Sequence, residues 1–474
     1  MNGSFGKRAF AVLSALILAF TLSGCGFLGS TMAPVTTAPV TTAPQTAAFG
    51  TAEELLAIIE ASEEKEFSKV SQWLDYWGFP AYSTSTLNLM ELYYRNYYVG
   101  ELPATADVAK RLGETFATYM DLISLDDSEA VTDLVMECYL AAVEDKYAYY
   151  MNAETFADYM SDMQGDFVGI GVQVIYNSIE KTMEIVSVVK DTPAMRAGLA
   201  PGDIVCAVDG VSVDTLSYYE ILDRIKGEAG SEVTITVDRG GTELSFTMQR
   251  QKLIQTTAEG KMLGDKIGYI RITEFDGTTA AQFKAAYGEL REAGARAFVF
   301  DVRDNPGGAL NAILEVLDFM VADTDAAGAR VPLASYLYYD GHMETDYASD
   351  GVSIPSDMPI AVLTSEYTAS AGELFSSALK DYDARGLLDV TLVGTVTYGK
   401  GTMQTLMQLP EGRATTVSIA YYNPPYSDNY EGIGVTPDIL SVLSEEAASK
   451  SLYQLTLEED TQLTDALAAL GVAD

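Results

Sequence analysis

The sequence predicts an α/β protein: a mixed-sheet core, preceded by a helical region and interrupted by a smaller strand-rich domain. Three observations predict it. Between residues 252 and 440, short apolar runs of strand length (267–273, 297–302, 360–363) alternate with amphipathic helical patterns (278–292, 309–321). Residues 167–251 switch to short strands around one or two helices. Residues 51–166 carry apolar stripes at helical spacing.

The 474-residue chain is long enough for several domains, and 48% apolar content supplies real cores. With 29 basic against 68 acidic residues the formal charge is −39, spread along the chain. No basic patch is visible to neutralise phosphates, which argues against nucleic acid as a partner. Of the three cysteines, Cys138 and Cys206 fall in different units, so no disulfide framework is expected. No His/Cys/Asp/Glu spacing suggests a metal site, and no cofactor is implied.

Residues 1–24 read as a targeting segment: Lys7 and Arg8, then an apolar stretch over 9–20, too short for a transmembrane helix of about 20 residues. Leu22-Ser23-Gly24-Cys25 resembles a bacterial lipobox. That resemblance implies cleavage before Cys25, lipidation of Cys25, and anchoring on the extracytoplasmic face of a cell membrane. Residues 25–50 contain a Thr/Ala/Pro repeat that cannot bury a core and read as a spacer. In 51–166, helices are expected over 53–66, 84–98, 106–122 and 128–143, with dense tyrosines in packing roles. Part of this region is a candidate homodimer contact.

The run Gly198–Ile204, Gly-Leu-x-x-Gly-Asp-x-Ile in outline, resembles the marker of a bacterial PDZ domain over 167–251. The resemblance implies capture of a peptide C-terminus as an added strand. Val168, Gly169, Ile170 and Gly171 would present N–H groups to the terminal carboxylate. Val172, with Val174, Ile221, Leu222 and Ile225, would line a side-chain pocket. The same apolar residues equally suit the domain core.

The chemistry concentrates in 364–404. Leu374, Phe375, Ala378, Leu379 and Tyr382 share one helical face, and an apolar strand precedes them, so Ser370 stands where a strand feeds a helix. There a serine can attack a carbonyl while the Ala371 N–H faces the developing oxyanion. Serine needs a base. The sole histidine, His342, lies in a polar segment without apolar periodicity. Lys400, between Gly399 and Gly401, can serve if burial holds it neutral. Taken alone, Ser370 reads as a helix cap and Lys400 as a solvated turn residue.

The wider pattern decides between these. Ser370-Ala-Gly-Glu, followed by Gly399-Lys-Gly-Thr-Met-Gln404, resembles the carboxyl-terminal processing (tail-specific) serine peptidases. Asp-x-Arg-x-Asn-x-Gly-Gly (301–308), Asp145-x-Tyr147 and Gly432-Ile-Gly-Val-Thr-Pro-Asp438 appear in that family's order. The resemblance implies a crotonase/ClpP-like core over 252–440, C-terminal helices over 441–474, and a serine endopeptidase. Ser370 would be the nucleophile, Lys400 the base and Gln404 its orienting partner. Gly307 and Gly308, named jointly, would join Ala371 in the oxyanion hole. The spacing exceeds the family's by a few residues, assigned to a surface insertion over 383–389. The competing reading is a non-catalytic PDZ protein of the cell envelope that captures tails without cutting.

Overall fold

The computed structural model describes residues 47–163, 166–177 and 181–471. The leader, Cys25 and most of the spacer lie outside the described residues. No described helix is long and apolar enough to cross a membrane.

The N-terminal region holds α1 (Ala52–Ala61), α2 (Val70–Trp77), α3 (Ala81–Tyr97), α4 (Thr105–Tyr119) and α5 (Ser128–Val143), then the short strand β1 (Tyr150–Met151) and α6 (Ala153–Met163). α2 and α6 are absent from the sequence reading. α2 has eight residues, too few for a periodic pattern to stand out, yet it buries Trp73, Leu74 and Trp77. The core of these helices does not close on itself. It continues into Met407, Leu409 and Val417, which belong to the large unit described next. The 51–166 region is therefore packed onto the core instead of standing apart from it.

The strand-rich domain is held on a two-stranded stem of β2 (Asp166–Gly169) and β9 (Gln251–Ile254), antiparallel, so the chain enters and leaves it side by side. Between them lie β3 (Val172–Asn177), β4 (Thr182–Val188), α7 (Pro193–Ala197), β5 (Ile204–Val208), β6 (Val211–Ser212), α8 (Tyr218–Ile225), β7 (Glu232–Arg239) and β8 (Thr242–Gln249). The sheet order is β3-β4-β5-β7-β8, with β6 paired to β5, which leaves β3 at an edge. Alternation in β7 is plain: Val233, Ile235 and Val237 point into a core with Ile170, Met183, Ile185 and Ile221.

The large unit contains β10 (Ala258–Leu263), β11 (Ile267–Ile272), α9 (Thr279–Glu292), β12 (Ala297–Asp301), α10 (Leu310–Met320), β13 (Pro332–Tyr338), β14 (Met343–Tyr347), β15 (Pro359–Thr364), α11 (Ala371–Ala384), β16 (Asp389–Gly394), β17 (Thr402–Gln408), β18 (Ala414–Asn423), β19 (Ile439–Leu440), α12 (Glu445–Ala448) and α13 (Thr461–Ala469). One sheet runs β10-β11-β12-β15-β16-β19; only the β10–β11 pair is antiparallel. Both faces are covered, which explains its unbroken apolar strands. Phe298 and Phe300 face the core shared with α9, α10 and α11. Val299 and Ala361 face Leu463 and Ala466 of α13. The second sheet joins β17 and β13 to β18, with β14 beyond β13 and β1 of the N-terminal region on β18. The mixed-sheet α/β core, the inserted strand-rich domain and the N-terminal helices follow the expected architecture. β13 and β14 were not anticipated, because the polar pattern around Asp340 and His342 hides a hairpin.

Candidate active site

β15 runs into the loop 365–369, and α11 begins at Ala371, so Ser370 stands at a strand-to-helix junction. The five residues expected on one face of this helix are all fully buried. Ser370 has φ 54° and ψ −119°, a conformation that costs a side-chain-bearing residue about 1–3 kcal/mol. Its surroundings impose it. The Ser370 N–H donates to Glu373 Oε2 at 2.9 Å. The Tyr430 hydroxyl donates to the Ser370 carbonyl at 3.4 Å, and the Ala369 N–H to the Asn305 carbonyl at 2.9 Å.

Lys400 lies in the irregular segment between β16 and β17, and it is 5% exposed. Its Nζ stands 5.2 Å from the Tyr147 ring centroid. Its N–H donates to the same Glu373 Oε2 at 2.7 Å. Oε1 accepts from the Gly399 N–H at 2.6 Å and the Thr397 hydroxyl at 2.5 Å. One buried carboxylate thus fixes the backbone of both the serine and the lysine. Burial pushes the Glu373 pKa up, and these donors pull against that. Tyr422 spans the two residues as well: its hydroxyl is 2.9 Å from the Lys400 carbonyl and 3.4 Å from Ser370 Oγ.

Gln404 is fully buried in β17. Its Nε2 donates to Ser418 Oγ at 3.5 Å. Ser418 in turn donates its hydroxyl and N–H to Asp145, at 2.8 and 3.1 Å. Gln404 Oε1 is buried with no partner among the described residues. Asp145 and Tyr147, from the N-terminal region, therefore reach the site. The Tyr147 hydroxyl donates to the Gly399 carbonyl at 3.2 Å and to Glu431 at 2.8 Å.

The turn after β12 separates the two glycines that the sequence leaves joined. The Gly307 N–H is spent on Asn305 Oδ1 at 2.8 Å, so Gly307 cannot offer it to a ligand. The N–H groups of Gly308 and Ala371 have no partner among the described residues. Gly308 and Ala371 line, with Ser370, a cavity of about 20 Å³. Both glycines are required by geometry. A Cβ on Gly307 would lie 2.6 Å from Ser370 Cβ, and one on Gly308 would lie 2.0 Å from the Phe275 carbonyl oxygen; their φ values are +117° and +133°. Just upstream, buried Arg303 donates to Asp301 at 2.7 Å and to both oxygens of Asp460 at 2.8 and 2.9 Å. Asp460 also caps α13.

His342 is elsewhere. It sits exposed in the β13–β14 turn, stacked on Tyr338 with ring centroids 5.3 Å apart, and its Nε2 is 3.6 Å from Glu344. In the strand-rich domain, Val168 and Gly169 are not in a free loop. They pair with Lys252 and Gln251 in the stem, because β2 must close against β9 to hold the insertion. Ile170 is a core residue, and its carbonyl accepts the Ala194 N–H at 2.9 Å. Gly171 turns the chain at φ +86° against Thr192, and Val172 begins the edge strand β3.

A model for peptidase family S41 matches residues 266–441, and a PDZ-domain model matches residues 184–239. A carboxyl-terminal-processing protease of Synechocystis sp. is 30% identical over 352 residues, covering 72% of this chain and 78% of that protein. The chain belongs to peptidase family S41. A carboxy-terminal-processing protease of Bartonella bacilliformis is 28% identical over 349 residues, 72% of this chain and 75% of that one. A solved structure from Bacteroides fragilis assigned to the S41 proteases superposes with a TM-score of 0.50 at 17% identity, covering 71% and 90% of the two chains, and shares the fold. This S41 protein is a serine-type peptidase carrying a PDZ domain.

Sequence reasoning assigned no task to Glu373, although the Ser-Ala-Gly-Glu spacing carried it. A residue three positions into a helix returns to the N-cap backbone, a signal available without a structure. Tyr422 had no such signal, since it reaches Ser370 only through the pairing of β18 with β17.

Proposed function

We propose that this S41 peptidase is a lipid-anchored endopeptidase of the extracytoplasmic membrane face, in which a Ser370–Lys400 dyad hydrolyses polypeptides captured by their C-terminal tails. The observation that carries the dyad is the shared acceptor: the Ser370 and Lys400 N–H groups end on one oxygen of Glu373. Lys400 is nearly water-free, and this burial disfavours its charged form, leaving a neutral amine able to take the serine proton. As Ser370 Oγ attacks, the new oxyanion meets the N–H groups of Gly308 and Ala371. The amine leaves with a proton from the lysine, and water then resolves the acyl-enzyme. Tyr147 bears on the lysine through its ring, and Gln404 keeps a buried carbonyl without a partner among the described residues, which we assign to orienting the lysine. The edge strand β3 offers the unpaired backbone to which a tail can add. The lipobox-like segment at Cys25 supports the anchor.

The test compares full-length native protein with Ser370→Ala and Lys400→Ala on an unfolded protein substrate. Native cleavage, with both variants folded and at least 1,000-fold slower, is the expected result. A Lys400→Ala enzyme retaining a tenth of native activity would remove the dyad. For the anchor, Cys25→Ser should move the protein from the membrane fraction to the soluble fraction; unchanged partitioning would refute it.

A further inference from the structure

Tyr422 is fully enclosed beside the reacting atoms and has no part in the dyad chemistry above. Its ring, with Gly308, Leu310, Leu374, Thr402 and Met403, lines the small cavity at Ser370. The phenol has a single proton; the Tyr430 hydroxyl hydrogen-bonds to it, and two further acceptors lie within its reach. One is the Lys400 carbonyl oxygen at 2.9 Å, and the other is Ser370 Oγ at 3.4 Å. The ring is held from two sides. Pairing with Tyr336 of β13 fixes the Tyr422 backbone, and Tyr430 stands edge-on to the ring with centroids 5.9 Å apart. The hydroxyl can turn between its acceptors without moving the ring.

We propose that Tyr422 is a further catalytic residue: it rests its proton on the Lys400 carbonyl and swings it to Ser370 Oγ whenever that oxygen carries negative charge. In the resting enzyme Oγ is neutral, and the shorter, better acceptor is the carbonyl. When the base removes the Oγ proton, Oγ becomes the stronger acceptor and the phenol donates to it until the bond to the substrate carbonyl carbon forms. In deacylation the Oγ–carbon bond breaks, its electron pair returns to Oγ, and the phenol donates again until the base returns the proton. Tyr422 gives up no proton in either half. Burial, reinforced by the nearby Glu373 carboxylate, pushes its pKa far above the ordinary phenol value, so it stays a donor across the working pH range. The surrounding cavity is mostly apolar, where a hydrogen bond to a developing charge gains most.

The inference rests on Ser370 as the nucleophile but not on the identity of its base. The experiment therefore reads serine reactivity directly, as the rate at which a small fluorophosphonate modifies full-length enzyme, beside kcat and KM for a peptide. Tyr422→Phe removes only the oxygen. The expected result is modification and kcat both slower by roughly 10- to 100-fold, as for loss of one donor to a charged oxygen, with KM unchanged. A folded Tyr422→Phe enzyme modified at the native rate overturns the proposal. Difluorotyrosine at position 422 keeps the size and strengthens the donor. It should speed modification several-fold, whereas a phenol that merely props the Lys400 carbonyl would leave the rate flat, which also overturns the proposal. Ser370→Ala must stay unmodified. Modification of that variant would remove the nucleophile itself, and the two failures are thereby told apart.

Discussion

Replacing Glu373 by glutamine tests how the serine and lysine are held together. The carboxylate accepts four donors, two on each oxygen: Ser370 N–H and Lys400 N–H on Oε2, Gly399 N–H and the Thr397 hydroxyl on Oε1. An amide offers one accepting oxygen and one donating NH₂ group. The best arrangement keeps the carbonyl toward Ser370 and Lys400. Thr397 can then rotate and accept from the NH₂ group, since a hydroxyl does either. The Gly399 N–H cannot adapt and is left facing another donor. An orphaned buried N–H costs about 1–3 kcal/mol, and the two surviving bonds lose their charge assistance. The expected destabilisation is about 2–4 kcal/mol, from the Glu→Gln change of one heavy atom and almost no volume. The assay is a urea unfolding curve alongside kcat for a peptide. We expect the midpoint to fall with an unchanged slope, and kcat to fall by at least 10-fold because Ser370 loses the contact that fixes its unusual φ. The reverse arrangement, with the NH₂ group toward Ser370 and Lys400, orphans two N–H groups and costs more. A Glu373→Gln enzyme within 0.5 kcal/mol of native stability and with native kcat would refute the claim that this carboxylate organises the site.

Two other outcomes follow from the geometry. Gly308→Ala should be both unstable, by about 2 kcal/mol or more, and inactive, because its Cβ meets the Phe275 carbonyl oxygen at 2.0 Å and its φ is +133°; near-native thermal melting with retained turnover would contradict this. Acid should loosen the Arg303 clamp in a defined window: burial alone would raise the Asp301 pKa, but the charge and hydrogen bonds of Arg303 outweigh it and bring the value to about 2. A depressed carboxyl contributes stability above its unfolded pKa of about 3.9 and loses it as pH falls through the folded value. That places the loss between about pH 4 and pH 2, at about 2 kcal/mol. Urea midpoints for native and Asp301→Asn protein should converge across that window, and parallel curves would show that Asp301 is not the group titrating.

The parts of this structure that follow from local rules were legible in the sequence. The α11 face from Leu374 to Tyr382, the buried strand β12 and the β17–β18 hairpin each express one period or one turn. Ser370 and Lys400 could be singled out because their neighbours form a joint pattern, and the structure brings their backbone N–H groups onto one carboxylate. What stayed hidden depends on distance in sequence. Gly307 and Gly308 are equivalent as letters, and only the Asn305 side chain distinguishes them. Val168 and Gly169 look like a loop until β9, over 80 residues later, supplies their partners. Tyr422 is one tyrosine among 29, and nothing in its vicinity marks it until β18 is paired.

The Arg303 clamp has a consequence for the order in which the enzyme becomes competent. Arg303 lies within a few residues of the turn that presents Gly308, and two of its hydrogen bonds end on Asp460, 157 positions further on. A nascent chain that has made Ser370 and Lys400 still lacks this counter-ion, and a buried guanidinium without its full complement of acceptors is costly to hold. The turn therefore gains its final restraint only once residues 460–462 have been synthesised. Organisation of the site is thus tied to the segment around Asp460, and a fragment ending before it would carry Ser370 and Lys400 without this restraint on the turn beside them.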